Sequence, residues 1–279
     1  MPTPEIIDTL FSMESPSTVI HLAKCGDTVA DCVAAMDAAG ISKAVLAPCR
    51  RAACERHYVC EDIQIDEVRR CVAERPDRFA GLAAYNPHEI SESMQQVEQA
   101  LRMSDFRGVY IPWNADGVKL QDACMYPLYA RCVELNLPVV VQFNDPGEGA
   151  VNILAAVRTV LGDFAELKLI LAWAAAADLN VIVAACKQHP TLSVAFDGRV
   201  LSGQESALTA WMKAEGGYRC MWGSNGLPWK ELLQQIDSYS LPETVLNSFL
   251  HENAWRAFGL AQVIRTEKPD ESARIVVAD

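Results

Sequence analysis

The sequence lacks the features of membrane, secreted and nucleic-acid-binding proteins. Its longest apolar run, LKLILAWAAAA at 167–177, is shorter than the roughly 18 to 20 residues that a membrane helix needs. The opening residues MPTPEIIDTLF contain no basic segment ahead of an apolar run, so we expect no secretory signal and a cytoplasmic location. Positive charge is also scarce, since 24 Lys and Arg stand against 36 Asp and Glu, a formal net charge of −12. Nucleic acid and membrane surfaces are therefore not expected as partners, because both attract clustered Lys and Arg.

The composition that remains is that of a globular protein with a large core. Of 279 residues, 51% are hydrophobic and 22% are charged. Short apolar segments alternate with longer amphipathic ones, the pattern of parallel strands that are each followed by a helix. The strand candidates are 5–11, 43–48, 79–86, 108–113, 138–143, 168–173, 193–197 and 219–223. The helix candidates are 28–39, 64–75, 91–103, 122–136, 149–161, 178–189, 205–215 and 229–257. We expect the last of these to be two helices separated near Pro242.

Eight strand–helix pairs in a chain of this length predict a single (β/α)8 TIM barrel, a fold of roughly 250 residues. The barrel is expected to occupy residues 1–260, and no stretch rich in Pro, Gly and Ser divides it. Residues 261–279 fall outside the repeat and form a C-terminal tail, either free or packed as an arm on a second subunit. Reactive groups in such a barrel lie at the carboxyl ends of the strands and in the loops that follow them.

Ten cysteines do not indicate disulfides in a chain that we expect to be cytoplasmic. We interpret most of them as small buried hydrophobic side chains. One group stands apart, because Cys49, Cys54, His57 and Cys60 have the spacing C-x4-C-x2-H-x2-C in the loop after the second strand. These are donors that a zinc or iron site could use, and a single thiol there could be reactive beside nearby arginines. Plain packing is the third alternative.

Five segments carry a resemblance to a known family. They are GVYIPWNADG, YPLYARCVELNLPVVVQFNDPG, LKLILAWAAAADLNVIVAACKQHPTLSVAFDG, RCMWGSNGLP and LHENAWRAFGL. They resemble the metal-dependent amidohydrolase 2 family, which includes hydrolases and the decarboxylases related to aminocarboxymuconate-semialdehyde decarboxylase. The most specific block is Gly223–Ser224, followed by Asn253–Ala254 and then Phe258–Gly259–Leu260. The resemblance implies a barrel, metal-dependent hydrolysis or decarboxylation, and dimeric assembly.

The family's metal site implies ligands after strands 1, 5, 6 and 8. Carried over residue by residue, these ligands fall on Leu10, Ser12, Gln142, Trp173 and Asn225. Zinc binds thiolate, imidazole or carboxylate groups, whereas these residues supply an alkyl group, a hydroxyl, two amides and an indole. None of the five histidines ends strand 5, 6 or 8. We therefore expect no metal and no cofactor at the family site.

The pocket at these strand ends can still bind a ligand. Aromatic faces, amides and a guanidinium suit a small polar or carboxylated molecule. The predicted lining is Leu10, Ser12, Tyr110, Trp113, Gln142, Asn144, Trp173, Asp197, Arg199 and Asn225. The alternative is that Trp173 and its neighbours simply fill the space that the metal occupies in the family.

Three hypotheses about function remain open. The first is a degenerate family member that binds a small ligand, or that serves as the non-catalytic partner of a catalytic homologue in a homo- or hetero-oligomer. The second is a metal-independent hydrolase, decarboxylase or lyase for a small carboxylic acid, with Asp197 or Glu14 as base and Arg199 as carboxylate anchor. The third retains a zinc or iron ion, relocated to the loop that carries Cys49 to Cys60.

Overall fold

The computed structural model of the protein describes ten stretches of the chain. They are residues 5–12, 28–48, 65–103, 105–113, 118–143, 149–173, 179–196, 207–224, 228–236 and 239–260. The predicted tail at 261–279 and the cysteine-containing loop after the second strand lie outside these stretches. Within them, no helix is long and apolar enough to cross a membrane.

Eight parallel strands, each paired with the next one in sequence, form a nearly closed barrel. The strands are β1 (Ile6–Ser12), β2 (Ile41–Ala47), β3 (Phe79–Ala84), β4 (Phe106–Trp113), β5 (Val139–Phe143), β6 (Leu169–Trp173), β7 (Leu192–Phe196) and β8 (Cys220–Trp222). Each overlaps the apolar segment predicted for it, so the predicted TIM barrel is confirmed. The strands are mostly apolar because one face packs inside the barrel and the other packs against helices.

Helices follow the strands in the order that the amphipathic segments predict. They are α1 (Val29–Ala39), α2 (Ile65–Glu74), α3 (Ile90–Leu101), α4 (Tyr126–Glu134), α5 (Gly149–Asp163), α6 (Leu179–Gln188), α7 (Ala207–Trp211), α8 (Trp229–Ile236), α9 (Glu243–Asn247) and α10 (Asn253–Phe258). The predicted division near Pro242 is confirmed, because this residue directly precedes α9. Two π-helical turns, Met212–Gly216 after α7 and Ser248–Glu252 after α9, were not predicted.

The two ends of α1 show how local sequence sets the bounds of an element. The Thr28 side chain accepts a hydrogen bond from the Asp31 backbone N–H at 3.1 Å, and the Asp31 carboxylate accepts one from the Thr28 N–H at 3.2 Å. This reciprocal capping box satisfies donors that the first helical turn leaves unpaired. At the other end Gly40 has a φ of 76°, a left-handed conformation that glycine adopts without strain. Strand β2 begins at the next residue, Ile41.

The core has an inner cluster within the barrel and an outer cluster between strands and helices. The inner cluster consists of Ile7, Leu10, Val45, Ala47, Ala80, Leu82, Tyr110, Val140, Ile170, Ala172, Ala195, Met221, Ala254, Phe258 and Leu260. Its last three members come from α10 and the residues just after it. The end of the predicted 1–260 segment is therefore built into the barrel core.

Most of the cysteines that the structure describes are core side chains. The buried ones are Cys32, Cys71, Cys132, Cys186 and Cys220, and Cys124 is half-buried. Burial raises the pKa of the Cys132 and Cys186 thiols to about 12, so both stay protonated at neutral pH. The interpretation of cysteines as packing groups is confirmed for the buried five. Cys25, Cys49, Cys54 and Cys60 lie outside the described residues.

Candidate ligand pocket

The carboxyl ends of β4 to β7 place one of the predicted pocket residues on the inner face of the barrel. Strand register sets Pro112 opposite Gln142, Gln142 opposite Ala172, and Ala172 opposite Ala195. Residues paired in a parallel ladder point to the same face of the sheet. Because Ala172 and Ala195 belong to the inner cluster, Gln142 also faces the interior. The β5 position that the family resemblance gives to a metal ligand therefore lies inside the barrel.

Tyr110 and Gln142 form a hydrogen-bonded pair across β4 and β5. The Tyr110 hydroxyl donates to the Gln142 side-chain oxygen, and both side chains are buried. The inner cluster around Tyr110 is otherwise apolar and includes Leu10, Leu82 and Met221. The Gln142 amide also carries an amino group, which is a hydrogen-bond donor. The pair therefore places a phenol and an amide, both hydrogen-bonding groups, inside the barrel.

A buried carboxylate in β1, Asp8, was not among the predicted site residues. Its Oδ1 atom accepts hydrogen bonds from the backbone N–H of Leu10 at 3.2 Å and from that of Ser224 at 2.8 Å. Its Oδ2 atom accepts from the Ser224 hydroxyl at 2.5 Å and from the Trp229 indole N–H at 2.7 Å. The signal in the sequence was a single charge within the apolar strand IIDTLF. A charge in such a strand is costly unless hydrogen bonds satisfy it, as they do here.

The ionisation of Asp8 reflects two opposing influences. Burial disfavours the charged carboxylate and raises its pKa from 3.8 to about 6. Hydrogen bonds from Ser224, Trp229 and Leu10 favour the charged form and oppose that rise. No charged side chain contributes to the shift. Asp8 is therefore held by neutral donors rather than by a salt bridge.

The seam between β1 and β8 is joined by side chains. In the residues that the structure describes, strand pairing runs from β1 through to β8, and no ladder joins β8 back to β1. Across this seam the Thr9 hydroxyl donates to the Trp222 carbonyl oxygen at 2.7 Å. A Cβ atom on Gly223 would lie 2.8 Å from that hydroxyl and 3.2 Å from the Leu10 backbone nitrogen. Glycine at this position permits the close approach of the two strands.

The structure describes the predicted pocket residues to different extents. Leu10, Tyr110 and Gln142 are buried and contribute to the barrel interior. The backbones of Ser12, Trp113 and Trp173 form the carboxyl-terminal residues of β1, β4 and β6. The other predicted residues of the pocket and of the cysteine loop lie outside the described stretches: Asn144, Asp197, Arg199, Asn225, Cys49, Cys54, His57 and Cys60.

Two of the positions at which the resemblance implies metal ligands, Leu10 and Gln142, have described side chains, and neither is a residue that binds a catalytic zinc. Leu10 has no donor atom, and the Gln142 oxygen already accepts from Tyr110. Neither supplies the imidazole, thiolate or carboxylate that zinc requires. Elsewhere in the described stretches, no three His, Cys, Asp or Glu side chains are grouped so that they could hold a metal ion.

A comparison with protein families agrees with this architecture. The family model Amidohydro_2, described as amidohydrolase, matches residues 25–260. The chain belongs to the amidohydrolase family. The resemblance carried by the five sequence segments is thus confirmed. The match ends at Leu260, which is a residue of the inner cluster.

Known amidohydrolase-family relatives include decarboxylases. The 2-amino-3-carboxymuconate-6-semialdehyde decarboxylase of Dictyostelium discoideum is 26% identical over 76 residues, which are 27% of this chain and 21% of that protein. The matched segment therefore spans less than a quarter of the relative's length.

Solved structures extend the likeness to nearly the whole barrel. An uncharacterized TIM-barrel protein from Bordetella bronchiseptica has a TM-score of 0.74 and 18% identity, over 92% of this chain and 99% of that one. A dihydroxybenzoic acid decarboxylase from Polaromonas sp. JS666, with bound manganese and the inhibitor 2-nitroresorcinol, has a TM-score of 0.67 and 16% identity, over 92% and 98%. At such identities the likeness establishes the fold.

Proposed function

We propose that this amidohydrolase-family barrel binds a small aromatic carboxylic acid without a catalytic metal. In this proposal the protein acts as a ligand-binding member of the family, or as the non-catalytic subunit of an oligomer with a metal-bearing homologue. The observation that carries the proposal is the Tyr110–Gln142 pair, because Gln142 lies inside the barrel at the β5 position where the resemblance implies a metal ligand.

The predicted lining favours a carboxylate ligand. The Tyr110 hydroxyl engages the Gln142 oxygen, which orients the amide of Gln142. Leu10, Leu82 and Met221 belong to the apolar inner cluster that surrounds the pair. Arg199 is the proposed second carboxylate anchor on sequence grounds, because a guanidinium binds a carboxylate through two parallel hydrogen bonds. The decarboxylase of Polaromonas, which binds an aromatic inhibitor, supports the choice of ligand class.

The first experiment measures metal content and ligand binding together. Protein purified without added metal is analysed for zinc, manganese and iron, and is then titrated calorimetrically with 2,6-dihydroxybenzoate in the presence and absence of EDTA. We expect less than about 0.1 equivalent of metal and the same affinity in both titrations, because no step of binding uses an ion. A full equivalent of metal, with binding abolished by EDTA, would overturn the proposal.

Variants separate the other hypotheses. If metal is present, the variant Cys54→Ser distinguishes the cysteine loop from the barrel interior, because only a site in the loop would lose its ion.

If carbon dioxide is released from the bound acid and the release survives EDTA, the protein is a metal-independent decarboxylase. In that case Asp197→Asn should abolish release, as expected for a lost general base. Light scattering after co-expression with a metal-bearing homologue tests the subunit role.

A further inference from the structure

We infer that Asp8 is a positioning residue whose two carboxylate oxygens have separate tasks: Oδ1 fixes the backbone beneath the pocket, and Oδ2 anchors that backbone to α8. The inference does not depend on the proposed function, because it concerns how the barrel holds its pocket whatever the ligand is. It rests on the hydrogen bonds of Asp8 and on the seam that they cross.

The Oδ1 atom binds two backbone N–H groups from opposite sides of the seam. One belongs to Leu10 in β1, whose side chain is part of the inner cluster. The other belongs to Ser224, the residue after Gly223 and before Asn225. Leu10 and Asn225 are two of the five positions at which the family resemblance implies pocket groups. A single oxygen therefore sets the spacing of the chain at, or next to, both positions.

The Oδ2 atom faces the helical layer. It accepts from the Ser224 hydroxyl and from the Trp229 indole, and Trp229 is the first residue of α8. The Trp229 ring also packs on Phe11 of β1, with ring centroids 4.8 Å apart. This half of the carboxylate ties the seam to α8 and makes no bond to Leu10. Loss of the hydrogen bonds to Oδ2 should lower the free energy of unfolding without displacing the backbone at Leu10.

The location of Asp8 explains why a side chain has this task. Neighbouring strands of a barrel ordinarily hold their spacing through a ladder of backbone hydrogen bonds. In the described residues β8 and β1 have no such ladder, so the Thr9 and Asp8 side chains hold them together. Thr9 bonds to Trp222, whereas Asp8 reaches Leu10 and Ser224. Of these two side chains, only Asp8 contacts the pocket backbone.

Three variants separate the two halves of the carboxylate. Asp8→Ala removes both acceptors. Asp8→Asn keeps an oxygen that can accept from Leu10 and Ser224, but places an amino group beside the Trp229 N–H. Trp229→Phe removes one donor to Oδ2 and leaves Oδ1 untouched. Should Asp8→Ala fail to fold, Asp8→Leu replaces it, because leucine has the same branched shape and no acceptor.

The readouts are hydrogen exchange of the Leu10 amide and the Leu10 methyl signals in NMR spectra of leucine-labelled protein. In Asp8→Ala we expect Leu10 exchange to accelerate at least about tenfold and the methyl signals to shift, because the amide loses its acceptor. In Asp8→Asn and Trp229→Phe we expect exchange within about twofold of wild type, although both variants unfold at a lower temperature. A residue that positions the backbone is expected to protect the Leu10 amide from exchange independently of its effect on the unfolding temperature.

Two results would overturn the inference. One is that Trp229→Phe accelerates Leu10 exchange as much as Asp8→Ala, and the other is that Asp8→Asn gives no rescue. Either would show that Asp8 only supports the fold as a whole. Because both readouts use ligand-free protein, a failure of 2,6-dihydroxybenzoate to bind would count against the proposed function and leave this test intact.

Discussion

The Tyr110 hydroxyl donates a hydrogen bond to the side-chain oxygen of Gln142 inside the barrel, where the inner cluster is otherwise apolar. Buried polar groups are costly unless they are paired, and this bond pairs the phenol hydroxyl with the amide oxygen. The pair also fixes which end of the Gln142 amide can donate. Orientation of a donor by a second residue is the property that makes an interior amide useful for recognition.

The first prediction concerns the variant Tyr110→Phe. We expect affinity for 2,6-dihydroxybenzoate to fall about tenfold in calorimetric titrations, because the Gln142 amide loses the group that orients it. The free energy of unfolding should fall by about 1 kcal/mol, the ordinary value of a lost hydrogen bond. Tyr85→Phe is the matched control, since Tyr85 is buried and donates to the Cys124 carbonyl oxygen outside the inner cluster. Equal affinities of the two variants would contradict the assignment of Tyr110 to the pocket.

The second prediction concerns the pH dependence of stability. Asp8 has a pKa of about 6 in the folded chain and an ordinary value of 3.8 when exposed. Between these values the folded chain binds more protons than the unfolded chain, so stability falls as pH rises through this range. The resulting decrease in the free energy of unfolding is about 3 kcal/mol, at roughly 1.4 kcal/mol per pKa unit. The decrease is complete once the pH is above the folded-state pKa of about 6.

Denaturant unfolding of wild type and Asp8→Asn between pH 4 and pH 8 measures this contribution. Because asparagine does not titrate, the difference between the two proteins isolates Asp8. We expect wild type to gain stability relative to the variant as pH is lowered from 7 to 4. A difference that is flat across this range would show that Asp8 does not titrate there.

The third prediction concerns Arg78, a buried guanidinium between β2 and β3. It donates to the carbonyl oxygens of Ile41 and Ser42 at 2.8 and 2.9 Å and pairs with Asp37 at 2.7 Å. Arg78→Ala should lower the free energy of unfolding by about 2 to 4 kcal/mol, because two carbonyl groups lose their charged donor. Arg75→Ala is the control, since Arg75 forms an exposed pair with Asp77 and should cost less than about 1 kcal/mol. Both variants are measured by denaturant titration. If they lose similar free energies of unfolding, burial of the Arg78 guanidinium is not what makes it stabilising.

The fourth prediction concerns glycine at the seam. Gly223→Ala should destabilise the protein by about 1 to 3 kcal/mol, because the new Cβ atom meets the Thr9 hydroxyl and the Leu10 backbone. Thr9→Ala by itself loses the bond to Trp222, but in that background Gly223→Ala should cost less, since the closest contact is absent. Gly162→Ala in α5 is the control: nothing lies within 4 Å of the added atom, and we expect a change of about zero to a gain of 1 kcal/mol. Thermal unfolding of wild type, the three single variants and the double variant provides the measurement.

The strand and helix order was predictable because it depends on short-range patterning. Apolar runs such as PVVVQF mark strands that are covered on both faces, and amphipathic segments mark the helices between them. The division near Pro242 and the end of the first helix at residue 39 were also predictable, since proline starts and glycine ends a helix through their own backbone preferences. The π-helical turns at Met212–Gly216 and Ser248–Glu252 were not, because a local helical pattern contains no signal for one extra residue in a turn.

The candidate site was predictable in part. The sequence placed Leu10, Tyr110 and Gln142 near one another, because the carboxyl ends of parallel strands meet at one end of a barrel. It did not reveal that Tyr110 donates to Gln142, since this depends on the register of β4 with β5. Asp8 was missed for a related reason. A single acid in an apolar strand acquires meaning only when its donors are known, and two of them, Ser224 and Trp229, are more than 200 residues away.

By itself, the sequence determined the order of strands and helices in a (β/α)8 barrel and carried the resemblance to the amidohydrolase family. The first follows from periodicity and the second from the residues of five segments, and neither requires coordinates. Only the tertiary structure decided that Gln142 is held by Tyr110 inside the barrel and that a buried carboxylate, Asp8, joins β1 to β8. The physical reason is that hydrogen bonding and desolvation act between groups that lie far apart in the sequence and that only folding brings together.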